Sequence, residues 1–279
     1  MSNRPKTTIA RVTTAAFTFA CTLASASIAH ARSPAPPAPA GVVDAAPASP
    51  AVGATSVDPN IDRGFLLPTA MTQPAGSVTY NNYELLLHGI TYGVTDRVQA
   101  SVTVLSPIVK DMPFVVGFAA VKAQIVATDR FHLALQGSLG WVHAFDTDDA
   151  NFYMAGVGAF ASYCLRSDCT SLVSASATYQ LGMTGASSDY AHTLIYGGSV
   201  VHRVARHVKL LGEVTSAAGG VGFSGESSNL DGVLVGYGVR FHSDNLAADV
   251  GFLRPVTGDS SDDDFLVGLP FASVSYRWQ

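Results

Sequence analysis

One stretch decides the fold: Phe131-His132-Leu133-Ala134-Leu135-Gln136-Gly137-Ser138-Leu139. Its large apolar residues occupy the odd positions, whereas His132, Gln136 and Ser138 occupy even ones. Side chains of a β-strand point alternately to the two faces of the sheet. The stretch is therefore predicted to be a strand with one apolar face and one polar face.

Runs of this kind recur from about residue 64 to the end of the chain. Many are about twice as long as an ordinary strand of five or six residues, which is typical of a sheet that crosses an outer membrane and closes on itself. The sequence thus predicts an all-β fold, a transmembrane antiparallel up-and-down β-barrel of about twelve strands. The predicted strands lie near residues 64–70, 77–94, 98–106, 113–127, 131–143, 150–164, 169–181, 190–203, 207–217, 230–242, 245–255 and 264–278.

The predicted connections are alternately short and long. Thr95-Asp96-Arg97 and Thr128-Asp129-Arg130 are tight turns, whereas 144–149 and 218–229 are long. Outer-membrane barrels place short turns in the periplasm and long loops outside the cell, so the alternation predicts the orientation. The strand number depends on 64–70: with this strand the barrel closes antiparallel with twelve strands, and without it eleven strands would close parallel.

Composition excludes other classes of protein. Only 13% of the residues are charged, against about 25% in soluble domains. The expected mature chain has no apolar run of about eighteen residues, which excludes a helical membrane span. The net charge is −5 and the basic residues are scattered, so no nucleic-acid partner is expected.

The first residues are typical of an export signal. Basic residues precede the apolar run 15–26, and Ala29-His30-Ala31 has the small-x-small pattern of a cleavage site. The predicted organisation is a secretory signal peptide at 1–31, an Ala/Pro-rich periplasmic linker at 32–62 and the barrel at 63–279. Pro-rich segments of this kind do not bury a core.

The three cysteines divide into two groups. Cys21 lies within the expected signal peptide; a lipoprotein is the alternative, but no Leu stands three residues before it. Cys164 and Cys169 flank a short predicted turn. Because exported proteins meet an oxidising compartment, we expect a disulfide between these two; two free thiols are the alternative.

The last strand carries a resemblance to a family. Val274-Ser275-Tyr276-Arg277-Trp278 alternates and ends on an aromatic residue, with Gln279 after it. This segment resembles the closing strand of bacterial outer-membrane β-barrel proteins. The resemblance implies an outer-membrane location, contact with membrane lipids and lipopolysaccharide, and recognition by the barrel assembly machinery. No cofactor is predicted.

If the apolar face meets lipid, the polar face lines the interior of the barrel. Acidic and basic residues nearly balance there, so they either pair to fill a narrow interior or line a small aqueous passage. A soluble binding barrel would need an apolar interior instead. The residues predicted to line the lumen are Glu84, His88, Lys122, Gln124, His132, Lys209, Glu213, Arg240 and Asp249.

Signals for catalysis and for metal binding are weak. A G-x-G-x-x-G match at 220–225 lies in a predicted loop rather than between a strand and a helix. The best catalytic candidate is His192 near Asp189 and Ser188, and the acidic loops 146–149 and 259–264 could attract divalent cations.

His202 and His207 flank a turn without an evident third ligand, so no metal site is predicted. We conclude from the sequence that the protein is not an enzyme. The predicted function is a narrow passive channel for small solutes or a structural barrel. The alternative is an outer-membrane enzyme, lipase-like or protease-like, with a site at the extracellular mouth.

Overall fold

A computed structural model describes residues 58–105, 114–144, 151–184, 190–223, 226–229, 232–256 and 268–278. The predicted signal peptide, most of the predicted linker, both acidic loops and the pair Asp189 and Ser188 lie outside these residues.

The described chain is an antiparallel β-barrel, which confirms the predicted fold class. Each strand pairs with its neighbour in sequence, β9 pairs with β11, and β1 closes the ring by pairing antiparallel with β13. Twelve strands form the barrel, while β10 only extends β9 as a short hairpin. The strands are β1 (Val78–Tyr83), β2 (Leu87–Thr95), β3 (Val98–Leu105), β4 (Phe114–Ala127), β5 (Phe131–Ala144), β6 (Asn151–Cys164), β7 (Leu172–Thr184), β8 (Tyr190–Ala205), β9 (Val208–Phe223), β10 (Glu226–Asn229), β11 (Gly232–His242), β12 (Leu246–Val256) and β13 (Leu269–Trp278).

The predicted strand number is confirmed, but two of the predicted strands are wrong. Residues 64–70 form no strand of the sheet, and the predicted strand 77–94 is a hairpin of β1 and β2. Its turn contains Glu84 and Leu85, both with positive φ. The apolar run Leu85-Leu86-Leu87 hides this turn, because it carries neither the Gly nor the Asn that usually marks one. The β1–β2 turn is therefore a short connection at the end of the barrel where the other connections are long.

The outer surface is apolar. Leu135, Leu139 and Val157 lie at mid-strand with about half or more of their surface exposed, as expected where a sheet faces lipid. Exposed rings stand beside the short turns at Phe131 and Trp278, as in the aromatic girdle of outer-membrane barrels. No helix among the described residues is long and apolar enough to cross a membrane.

The interior has two zones, whereas the sequence predicted a polar inner face throughout. Near the short-turn end the inward side chains are polar, as with His132 on β5 and Lys209 on β9. Toward the long-loop end they become apolar, and Val116, Phe118 and Phe152 belong to one buried cluster. The prediction missed this zone because both faces of these strand ends are apolar, so the alternation no longer separates inside from outside.

The segment 58–73, which precedes β1, lies inside the barrel. Twelve of the sixteen residues from Asp58 to Gln73 are buried, and Ile61, Asp62, Met71 and Thr72 are half-buried. At its centre the chain makes a tight reversal, with Arg63 and Pro68 paired as an antiparallel bridge and Gly64 N donating to Leu67 O. We call residues 58–73 the inserted segment. It includes five residues of the predicted linker, 58–62, which therefore lie inside the barrel.

Candidate functional site: the inserted segment and its seat

Charged side chains hold the first arm of the inserted segment. Asp58 accepts from Lys209 Nζ at 2.7 Å and from Arg240 Nη1 at 3.2 Å. Arg240 also donates to the backbone oxygens of Asn60 and Gly64. The other edge of its guanidinium grips Asp249, with Nε to Oδ1 at 2.6 Å and Nη2 to Oδ2 at 3.0 Å. Arg240 is thus a bidentate partner of the wall and a donor to the segment.

A single carboxylate holds the tip of the segment. Glu213 Oε2 accepts from the backbone nitrogens of Phe65, Leu66 and Leu67 at 3.1, 3.0 and 2.8 Å. Three successive amides converging on one carboxylate form an anion-binding concavity of the backbone. Because the tip reverses tightly, these three amides do not bond to other atoms of the segment in the described contacts. Glu213 is their hydrogen-bond acceptor.

The opposite wall binds the returning arm and the end of the first arm. Lys122 Nζ donates to the carbonyl oxygens of Asp62 and Thr69 at 3.1 and 3.0 Å. Gln124 donates to Ala70 O at 3.0 Å, and Gln73 N donates to Gln99 Oε1 at 2.8 Å. The strands therefore bind the backbone of the segment as well as its side chains.

Packing complements these polar contacts at the tip. Phe65 is fully buried, with its ring centre 4.7 Å from that of Phe271. The wall beside the ring carries glycines: a Cβ at Gly236 would lie 2.9 Å from the ring of Phe65. A Cβ at Gly238 or Gly251 would lie 3.1 or 3.0 Å from the ring, and 2.5 or 2.2 Å from a backbone oxygen of the paired strand. Glycine weakens a strand, so these positions are explained by the close approach of Phe65 and, for Gly238 and Gly251, of the neighbouring backbone.

The structure places the residues that the sequence assigned to the lumen as follows. Most of them are buried inside the barrel, namely Lys122, Gln124, His132, Lys209, Glu213, Arg240 and Asp249. Two lie elsewhere. Glu84 is in the β1–β2 turn, where its carboxylate accepts from Ala272 N. His88 shares the outer face with Tyr80, whose hydroxyl lies 2.6 Å from His88 Nδ1. The prediction misplaces Glu84 because it treats 77–94 as one strand without a turn. It misplaces His88 because it assigns polar residues to the interior, whereas His88 lies on the same face of β2 as the exposed Ile90.

Sequence reasoning missed the inserted segment itself. Its apolar tip, Gly64-Phe65-Leu66-Leu67, was interpreted as a strand, and Asp58 and Asp62 fell in the predicted linker. One signal was available: Pro59 and Pro68 bracket the run, and proline cannot donate to a sheet ladder.

The predicted disulfide is present between Cys164 and Cys169. In the turn that this disulfide spans, partial burial raises the pKa of Asp168. Hydrogen bonds from Thr170 and the nearby Arg166 and Arg203 outweigh burial and lower this pKa below the ordinary value.

The disulfide lies beside a histidine: His132 Nε2 is 3.8 Å from Cys169 Sγ. Donor atoms of His132, Cys164 and Cys169 lie within 4.8 Å of one another, yet both sulfurs are already in the bond. Cysteine ligates a metal as the thiolate, so these two cysteines provide no metal ligand while the disulfide is intact.

Comparison with solved structures finds proteins of similar fold. The chain is similar to OmpTΔL8, a loop L8 deletion mutant of the outer membrane protein OmpT of Vibrio cholerae (11% identity, TM-score 0.42), covering 69% of this chain and 62% of that one. It is similar to LpxR from Salmonella typhimurium (10%, TM-score 0.41; 72% and 98%) and to CdiB from Acinetobacter baumannii (7%, TM-score 0.30; 72% and 59%). The chain shares the β-barrel fold of these outer-membrane proteins.

No protein-family model matches the chain, and no curated protein matches it either. One conclusion from the sequence needs correction, namely that the protein is not an enzyme. LpxR, one of the similar structures, is an outer-membrane enzyme, so the weakness of the catalytic motifs in this sequence does not exclude an activity. At 10% identity the likeness concerns the fold and assigns no activity.

Proposed function

We propose that this protein is a narrow passage for small solutes through the outer membrane, closed at rest by its own inserted segment. The observation that carries the proposal is the seat of that segment: Glu213 binds the tip, Arg240 and Lys209 bind one arm, and Lys122 binds the other. A chain segment in the middle of the barrel blocks a continuous path. The contacts are mostly hydrogen bonds and ion pairs, which water can replace when the segment leaves.

The proposal includes an orientation. Both arms of the segment lead to the short-turn end. Asp58 binds Lys209 at the start of β9, next to the β8–β9 turn, and Ala75 N, just after the returning arm, donates to Asp96 in the β2–β3 turn at 3.0 Å. We infer that this end faces the periplasm, as short turns of bacterial barrels do. The predicted linker would then lie in the periplasm, and the long loops would face lipopolysaccharide outside. The closing strand β13 would be the segment read by the assembly machinery.

Deletion of the segment tests the proposal. A variant lacking residues 58–73 should conduct steadily in planar bilayers, because the deletion empties the middle of the barrel, while the wild type should stay near baseline. The matched control removes an equal length, residues 35–50, from the predicted linker and should conduct like the wild type. Circular dichroism and heat-dependent gel mobility establish that each variant is folded.

Two outcomes would overturn the proposal. If the folded, inserted deletion variant showed no conductance above baseline, the barrel would be structural. If the wild type conducted as strongly as the deletion variant, the inserted segment would not close the passage.

A further inference from the structure

Asp58 of the inserted segment occupies a pocket lined by two cations of the barrel wall. Lys209 and Arg240 project from β9 and β11, and Asp58 Oδ2 receives both, at 2.7 and 3.2 Å. All three side chains are at least nine-tenths buried. The carboxylate therefore stands where a free anion would bind if the inserted segment were absent.

The two cations would not be equally satisfied without the segment. Arg240 would keep Asp249, which it grips through its other edge. Lys209 would lose Asp58, the carboxylate that the described residues provide for it. A buried charge left without a partner is strongly destabilising, so the vacated pocket would favour another anion.

The wall as a whole carries an excess of positive charge. Among the described strand residues, the buried bases are Lys122, Lys209, Arg240 and Arg277, and the buried acids are Glu213 and Asp249. The inserted segment contributes the opposite sign, with Asp58 and Asp62 against Arg63. Lys122 donates only to carbonyl oxygens of the segment in the described contacts. Departure of the segment would thus expose two lysines at once.

We propose that the passage conducts small oxyanions, carboxylates and phosphate, and that Asp58 is the resident anion which they replace at Lys209 and Arg240. This inference rests on the proposed function. Rings of Lys and Arg favour anions in pores, and a guanidinium beside an ammonium suits carboxylate and phosphate geometry.

The deletion variant lacking residues 58–73 provides the direct test. Reversal potentials in a KCl gradient should show a chloride preference over potassium of about threefold or more. Adding Lys122→Gln and Lys209→Gln should bring the ratio to about 1 or below. The control is Arg206→Gln in the same deletion background, because Arg206 is an exposed cation of the β8–β9 turn; its ratio should not change.

Competition in the full-length protein tests the pocket itself. Trypsin can cut after Arg63, which is 6% exposed, only when the segment leaves. Sodium formate or sodium phosphate should accelerate this cut several-fold over sodium chloride at equal ionic strength. The two salts separate a carboxylate ligand from a phosphate ligand. Lys209→Gln should abolish the difference between these salts and chloride.

The outcomes separate the two proposals. No conductance from the folded deletion variant would overturn the passage itself. Conductance with a cation preference, or without any effect of the lysine substitutions, would overturn the anion inference and leave the passage standing. Equal cleavage in formate, phosphate and chloride would remove Asp58 as a resident competitor.

Discussion

The two zones of the barrel interior close in different ways. Toward the short turns, charges and amides of the wall bind the inserted segment one group at a time, as Arg240 and Glu213 do. Toward the long loops, Phe118, Phe152 and their neighbours pack on one another and on Leu67 of the inserted segment. A polar wall needs a partner for every buried group, so it binds the segment by specific contacts, whereas the apolar zone uses Leu67 to complete its packing. Departure of the segment therefore affects both zones: water replaces its polar contacts, and the apolar cluster loses Leu67.

The tip of the segment contacts both zones, and removing the ring of Phe65 there should have the largest effect on how tightly the segment is held. Phe65→Ala empties the glycine-walled recess, so the free energy that holds the segment should fall by about 3–5 kcal/mol. Tryptic cleavage after Arg63 should become about a hundredfold faster or more, because cleavage tracks the population of the open form. Leu85→Ala is the control, since Leu85 is 75% exposed at the β1–β2 turn. A cleavage rate within twofold of the wild type would place the anchoring entirely in the polar contacts.

Glu213→Gln measures how much the polar contacts of the tip contribute to holding the segment. The shape of the side chain is kept, but its charge-assisted bonds to three backbone amides are weakened, at about 1.5–3 kcal/mol. Cleavage after Arg63 should rise about ten- to a hundredfold, with no loss of the barrel by circular dichroism. Glu84→Gln is the matched control, because Glu84 accepts a backbone amide outside the barrel. Should both substitutions act alike, the convergence of three amides on Glu213 would have no special role.

Loss of the disulfide should have the smallest effect on the binding of the inserted segment. Cys164→Ser with Cys169→Ser removes a covalent link beside the polar zone, since His132 lies between the sulfur of Cys169 and Gln124. Closing so short a loop stabilises the fold by about 2 kcal/mol at most, and cleavage after Arg63 should stay within about threefold of the wild type. Denaturant unfolding measures the first quantity and the trypsin assay the second. An acceleration as large as that of Glu213→Gln would make the disulfide part of the seat.

The sequence predicted the parts of this protein that depend on local pattern. Alternation along 131–139 and its equivalents indicated the strands, and the short turns indicated the antiparallel order. The spacing of Cys164 and Cys169 indicated the disulfide. These features involve neighbours in the chain or neighbouring strands, so residue periodicity is sufficient to find them.

The tertiary structure alone decided what fills the barrel. An apolar run such as 64–70 has the same composition whether it pairs in a sheet or reverses inside one, and only the carboxylate of Glu213, 146 residues away from Leu67, selects the reversal. The pairing of Asp58 with Lys209 and Arg240 spans an even longer part of the chain. Apart from the β1–β2 hairpin, the sequence by itself determined the wall of this barrel, because neighbouring strands are also neighbours in the chain. What fills the barrel depends on contacts between residues distant in the sequence, which periodicity does not record.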